Sequence, residues 1–227
     1  EKCIIQLEKV LKLLNIDCIE YMKTCKDNEF DLAIVDPPYG IGKDGTIGFA
    51  TEKTKGFTFT QKEYKQKDWD KTTPPQEYFD ELKRVSKNQI IWGANYMVNE
   101  IGTIKNFICW YKMGKSKDDK FNECELAYVS TGRTRMIDIW WNGFGTINSG
   151  ETRIHPCQKP VRLYNWILEN YAQKGMKILD THLGSGNIAV ACHYFGVDLV
   201  GCEIDTEYYN GALKNYKDNT AQTLLTF

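Results

Sequence analysis

Lys177-Ile178-Leu179-Asp180-Thr181-His182-Leu183-Gly184-Ser185-Gly186-Asn187 passes from a short apolar strand through a Gly-x-Gly turn into a helical pattern, Asn187 to Phe195. Small residues at such a turn let a ligand approach the backbone, which is why α/β sheets place nucleotide sites there. The next β-rich run, Asp198 to Cys202, delivers Glu203 about 20 residues past the turn, where an acid can take both hydroxyls of a ribose. The spacing Gly184, Gly186, Ala189 also satisfies a relaxed dinucleotide fingerprint, so a nicotinamide site stays open beside a nucleoside site.

Working outward, strand-like runs at Val10 to Asn15, Phe30 to Val35, Gln89 to Trp92, Asn106 to Tyr111 and Glu125 to Val129 precede the two already named. They alternate with helical patterns at Cys18 to Cys25, Gln76 to Ser86, Val161 to Gln173 and, after the turn helix, Glu207 to Tyr216. Alternation of this kind predicts an α/β layer fold with a largely parallel sheet. At 227 residues the chain fits one domain, 1–227. Lys and Arg number 29 against 30 Asp and Glu, which excludes a global positive field and leaves any polyanion to a local patch. No run is long and apolar enough to span a membrane, and the N-terminal residues have no signal-peptide core, so the expected compartment is the cytoplasm. The 8 cysteines are scattered without the two-residue spacing of a zinc or redox pair and read as reduced; no metal site is expected.

Asp36-Pro37-Pro38-Tyr39 follows the apolar run Leu32 to Val35, at the end of a strand where ligands bind. Two prolines remove donors and stiffen the turn, leaving a carboxylate and carbonyls fixed in direction beside an aromatic ring. That acceptor-only cluster suits an exocyclic amino group on a flat ring, whose N–H groups bond Asp36 and a carbonyl while Tyr39 stacks. A plain turn with a capping Asp is the alternative.

Two stretches break the alternation. Gly40 to Thr73 carries seven lysines against five acids and is far longer than an ordinary connection, which marks it as a mobile substrate loop. Thr131 to Cys157 brings Arg133, Arg135 and Arg153 together with Trp140, Trp141 and Phe144, a mixture of cations and flat rings that suits nucleic acid and equally an ordinary surface hairpin. If the cations of residues 105–135 and of the lysine loop share one rim, they surround Asp36 with positive charge.

Taken together, the motifs resemble the S-adenosylmethionine-dependent amino-methyltransferases of nucleic acids over nearly the whole chain. The catalytic motif precedes the cofactor turn, and His155-Pro156-Cys157-Gln158-Lys159-Pro160 stands just before the latter, as in the permuted β-class of DNA enzymes. The resemblance implies a single-domain Rossmann-like methyltransferase fold, a mostly parallel seven-stranded sheet with helices on both faces, and a circularly permuted motif order. It implies catalysis by Asp36, Pro37, Pro38 and Tyr39. Cofactor contacts are implied at Asp17, Cys18, Asp36, Lys159, Asp180, His182, Gly184, Ser185, Gly186, Asn187, Glu203 and Ile204. DNA is the implied partner, met by Lys43, Arg133, Arg135 and Trp140, with a homodimer supplying further contacts. The Asp form of the motif points to adenine N6, the Ser form to cytosine N4; RNA and a non-catalytic nucleic-acid-binding role are the rivals. Cys157, His182 and Asn187 depart from the usual Thr, Phe and Thr, with His182 read as an aromatic wall and not a base. Only 25 residues, 130–154, are available for target recognition, so a short or relaxed site is expected.

Overall fold

The computed structural model describes residues 11–43, 67–112, 122–141 and 153–221. In chain order these form β1 (Leu11–Leu14), α1 (Cys18–Thr24), β2 (Leu32–Val35), α2 (Gln76–Val85), β3 (Gln89–Trp92), a single 3₁₀ turn (Ala94–Tyr96), α3 (Val98–Ile101), β4 (Phe107–Tyr111), β5 (Cys124–Val129), β6 (Arg135–Asp138), α4 (Val161–Tyr171), β7 (Lys177–Asp180), α5 (Asn187–Phe195), β8 (Asp198–Cys202) and α6 (Thr206–Thr220). One sheet contains all eight strands in the order β1-β8-β7-β2-β3-β5-β4-β6. The pairs β3–β5 and β4–β5 are antiparallel and the rest parallel, so β5 alone runs against the others.

The fold class is as expected, but the sheet has eight strands among the described residues, not seven. The additional one is β6, which lies within the proposed recognition region and pairs in parallel with β4. Within Thr131 to Cys157 the described residues show β6 paired in parallel with β4, and any hairpin partner for it would fall on 142–152. Phe144 and the rest of 142–152 lie outside the described residues, as do 44–66 of the lysine-rich segment and Lys115, Lys117 and Lys120.

Period-two side-chain alternation splits β2 between two cores. Leu32 and Ile34 enter one with Ile90, Trp92, Ile108 and the inner residues of α4 and α5. Ala33 and Val35 enter the other, with Met22 of α1 and Tyr78, Phe79 and Leu82 of α2. Helices therefore cover both faces, and full burial of each Leu, Ile or Val stabilises the sheet by about 1.5–3 kcal/mol. Local chemistry fixes the helix ends that matter to the site. Asp17 caps α1 by accepting from the backbone N–H groups of Ile19 and Glu20, and Asp205 caps α6 by accepting from Glu207 and Tyr208.

From β7 the chain passes to α5 on one face and on to β8, whereas from β2 it reaches α2 on the other face and then β3. β7 and β2 are neighbours, so the sheet's switch point, where ligands bind in open α/β folds, opens between their carboxyl ends. Asp36 and the Gly184 turn follow those two ends.

Candidate active site

A cleft of about 1290 Å³ lies at this edge, larger than the ~300–1,000 Å³ of most small-molecule sites and roomy enough for two ligands side by side. Its walls include Asp36 to Tyr39, Lys159, the turn His182 to Ser185, and Glu203 with Ile204.

Asp36 is bonded on both oxygens. Tyr39 donates its hydroxyl to Oδ1 at 2.6 Å, and Lys159 Nζ lies 2.6 Å from Oδ2. Lys159 also donates to the Tyr39 hydroxyl at 3.2 Å, closing a three-membered ring of hydrogen bonds. Burial pushes the Asp36 carboxyl above its ordinary range against the pull of Lys159. Burial works against the charge on Lys159, yet Asp36 and Glu125 hold its pKa above the usual lysine value.

The Tyr39 ring stacks on Tyr96, with centroids 5.3 Å apart and planes 16° from parallel. Gly93, at φ +70°, leaves the space beneath it: a Cβ there would lie 2.2 Å from Tyr39 Cε1. Gly93→Ala therefore combines a left-handed backbone with a clash, costing about 1–2 kcal/mol for the first and 1–3 kcal/mol for the second. The expected result is a destabilised protein with Tyr39 displaced from Asp36, checked by thermal unfolding and by the turnover of the surviving folded fraction. Wild-type stability and turnover would refute it.

Behind Tyr39 the backbone is clipped by Asp70, a buried acid at the far end of the lysine-rich segment. Asp70 Oδ1 accepts from the N–H groups of Tyr39 at 2.8 Å and Gly40 at 2.9 Å, and Oδ2 accepts from that of Lys43 at 2.6 Å. Lys67, from the same end, pairs with Asp205 at 2.6 Å and lies over the Tyr208 ring. The ends of the long segment thus meet across the cleft mouth.

On the β7 side, Glu203 Oε2 accepts from Gly184 N and Oε1 from Asp205 N, both at 2.9 Å, so one carboxylate braces the turn and the start of α6. Burial raises its pKa. Asn15 holds the backbone behind it, donating to the carbonyls of Glu203 at 2.7 Å and Ile204 at 3.1 Å. Ile204 is 66% exposed, an apolar side chain presented at the cleft. His155 contacts Tyr208 edge-on at 4.4 Å; burial and the nearby Arg153 lower its pKa to about 3, so the ring is neutral.

The remaining expected residues divide. Asp180 is buried below the cleft, where it accepts from His182 N at 3.0 Å; burial pushes its carboxyl up to about 8. His182 Nδ1 bonds the Thr181 hydroxyl at 2.9 Å, its ring packs edge-on against Tyr78, and burial lowers it to about 4, giving a neutral flat wall. Gly186 opens α5 at φ +72° and sits against Ala212 of α6, so a Cβ there would press on helix packing. Asn187 is a clamp: it donates to the Lys159 carbonyl at 2.8 Å and accepts from Asn215 at 2.9 Å. Asp17 and Cys18 stand at the carboxyl end of β1, on the right edge but not among the residues lining the cleft.

Arg133 and Arg135 are separated from the site. β6 runs parallel to β4, so Arg135 at its start lies at the amino edge of the sheet, opposite Asp36, and its guanidinium sits over Tyr171 at the end of α4. The expected single cationic rim fails for these two residues because the strand between them and Trp140 carries the chain the full height of the sheet. Trp140 follows the carboxyl end of β6 and Lys43 lines the cleft, so both stay at the active edge. No group of three or more His, Cys, Asp or Glu fit to hold a metal ion occurs among the described residues, and none of their helices is long and apolar enough to cross a membrane.

Residues 85–214 match the family described as DNA methylase, of the N6/N4 type. The type II methyltransferase M.HpaI of Haemophilus parainfluenzae is 24% identical over 238 residues, covering 87% of this chain and 71% of that protein. Among solved structures, the M1.HpyAVI–SAM complex superposes with a TM-score of 0.58 at 18% identity, covering 91% of this chain and 98% of that one. The cytosine-N4-specific PvuII DNA methyltransferase superposes with a TM-score of 0.59 at 12% identity, covering 93% and 89%.

Proposed function

The chain belongs to the DNA methylase family of N6 and N4 amino-methyltransferases, and from that premise we propose that its target is the exocyclic N6 amine of adenine in DNA. The placement of Asp36 and Tyr39 in one cleft with the Gly184 turn and Glu203 supports methyl transfer to an exocyclic amine, and the Asp that opens Asp36-Pro37-Pro38-Tyr39, by its resemblance to the adenine form of the motif, favours N6 over cytosine N4. The family match begins at residue 85, so the role of Asp36 rests on that geometry.

The donor set fits S-adenosylmethionine. Glu203 faces the cleft beside a glycine turn, as a ribose requires, and Ile204 and the neutral His182 offer apolar surface to an adenine and its chain. When bound, this cofactor supplies an electrophilic sulfonium methyl group. The target amine is a weak nucleophile because its lone pair is delocalised into the base. Asp36 and the Pro37 carbonyl accept its two N–H groups and favour the pyramidal form whose lone pair can attack. With S-adenosylmethionine bound, its methyl carbon would pass from sulfur to the amine nitrogen, the amine proton would leave toward the Asp36 carboxylate, and methylated base and S-adenosylhomocysteine would be the products. Before any of this, Tyr39 must give up Asp36 Oδ1, because its hydroxyl occupies the place of the amine. The freed ring then stacks on the flipped base, contributing about 1–3 kcal/mol toward the few kcal/mol that flipping costs.

Labelled methyl transfer to duplex DNA, single-stranded DNA and RNA, followed by nucleoside identification, tests the assignment. N6-methyladenine in DNA is the expected product. N4-methylcytosine would move the enzyme to the PvuII-like specificity, and a product in RNA alone would overturn the DNA reading. Glu203→Ala should weaken S-adenosylhomocysteine binding by about 1–3 kcal/mol, the loss of charge-assisted bonds to the ribose. Unchanged affinity by calorimetry would remove Glu203 from the cofactor site.

A further inference from the structure

Lys159 carries a second carboxylate on its other side. Its Nζ lies 3.3 Å from Oε2 of Glu125, whose Oε1 is 2.5 Å from Lys112 Nζ. Glu125 is the second residue of β5 and Lys112 follows β4, so the antiparallel pair of strands delivers both to the active edge. The result is a file of four alternating charges, Asp36, Lys159, Glu125 and Lys112, running from the reacting position to the cleft wall. The Lys159 side chain is 4% exposed, and its ammonium also lies 5.1 Å from the centroid of Trp92, so it has no solvent to lean on. Its three protons are matched by three acceptors: Asp36, Glu125 and Tyr39.

We propose that Glu125 is a positioning residue that acts through Lys159 to set the acceptor strength of Asp36. This rests on Asp36 being the acceptor of the target amine. An ammonium facing Asp36 alone would form a tight pair and leave a weak acceptor. Sharing the ammonium with Glu125 divides its pull, and Lys112 in turn limits how much of it Glu125 takes. The contacts are unequal, 2.6 Å to Asp36 and 3.3 Å to Glu125, so Lys159 has room to shift toward Glu125 as the amine arrives at Asp36. Acceptor strength matters because proton acceptance in the transition state follows basicity.

The other titratable neighbours of Asp36 do not compete across the acid range. Tyr39, Tyr78 and Tyr164 have burial-raised pKa values, and Cys157 is pushed up to about 12, so all keep their protons. Asp180 ionises on the alkaline side.

The test is a carbon-13 carboxyl titration of Asp36, assigned with Asp36→Asn, in wild type, Glu125→Gln and Lys112→Met. Loss of the Glu125 charge should lower the Asp36 midpoint, and loss of the Lys112 charge should raise it. In the same proteins, kcat for methyl transfer to unmethylated duplex DNA should fall about 10-fold to 100-fold in Glu125→Gln, by analogy with the loss on removing a residue that orients a metal ligand. S-adenosylhomocysteine affinity should stay within twofold. A merely structural Glu125 would lower the melting temperature without moving the midpoint. Midpoints unmoved in the folded variants, or moved in the same direction by both, overturn the proposal, and should Glu125→Gln not fold, Lys112→Met reads the coupling alone. If the midpoints move as stated but Asp36→Asn transfers methyl groups normally, the catalytic reading of Asp36 falls and takes the catalytic role of Glu125 with it.

Discussion

Asp36→Ala should lower turnover by about 10²-fold to 10⁴-fold while S-adenosylhomocysteine affinity stays within a few-fold. The two halves of this expectation have separate grounds. Asp36 is the carboxylate held at the cleft by Lys159 and Tyr39, so in the proposed mechanism its removal takes away the acceptor for the amine. The Gly184 turn is braced by Glu203, on another strand, and does not depend on Asp36. Nor should the fold fail, because Lys159 keeps Glu125 as a counter-charge in the variant. The pH dependence of the wild-type enzyme adds a check. Burial raises the Asp36 pKa, so activity requiring the carboxylate should fade at a pH above the ordinary aspartate range as acid is added. Retention of a tenth of the wild-type rate, in steady-state transfer assays with the cofactor saturating, would remove Asp36 from the reaction.

The fully buried strands were legible in the sequence where their residues form an unbroken apolar run. Leu32–Val35 and the core of β8 read as strands without any tertiary context. β6 was not legible, and its burial explains why. Of Arg135, Met136, Ile137 and Asp138, Ile137 alone is buried, so the run carries almost no pattern. Its strand character comes from pairing with β4, a property of the sheet and not of the four residues.

The candidate site divides along the same line. Asp36, the Gly184 turn and Glu203 announce themselves because each follows directly on a strand. Asp70 and Glu125 act over long separations, one clipping Tyr39 to the end of a 30-residue excursion and the other reaching Lys159 from β5. A lone Asp in a lysine-rich segment and a Glu near a strand start carry no local sign of that work. Lys159 was legible as part of a motif, yet its partners were not. The resemblance implies a cofactor contact for Lys159, and the structure adds that its ammonium bonds Asp36, Glu125 and Tyr39.

Lys159→Met should therefore cost stability as well as activity, by about 3–5 kcal/mol, because breaking a buried ion pair leaves an uncompensated charge. The charge left without its ammonium is that of Asp36, part-buried at the cleft wall with 17% of its side chain exposed, since Glu125 retains Lys112. In the variant, burial and Glu125 together raise the Asp36 pKa further, with no ammonium to oppose them. A carboxyl raised above its unfolded value destabilises the protein as pH rises through the folded pKa and ceases to do so below the unfolded one. The deficit of the variant should accordingly shrink as acid protonates Asp36. Glu125 works the other way: Lys159 and Lys112 outweigh burial and hold it at about 2 in the wild type. Its contribution is present above the ordinary glutamate range and is lost only toward pH 2, so the stability gap should close from both sides on acidification. The double variant Asp36→Asn, Lys159→Met removes both members of the pair and should recover most of the lost stability, because no charge then remains without a partner. Urea unfolding at neutral and acidic pH measures each quantity. A single variant as stable as wild type at neutral pH, or a double variant no better than the single, would mean that Lys159 does not compensate Asp36.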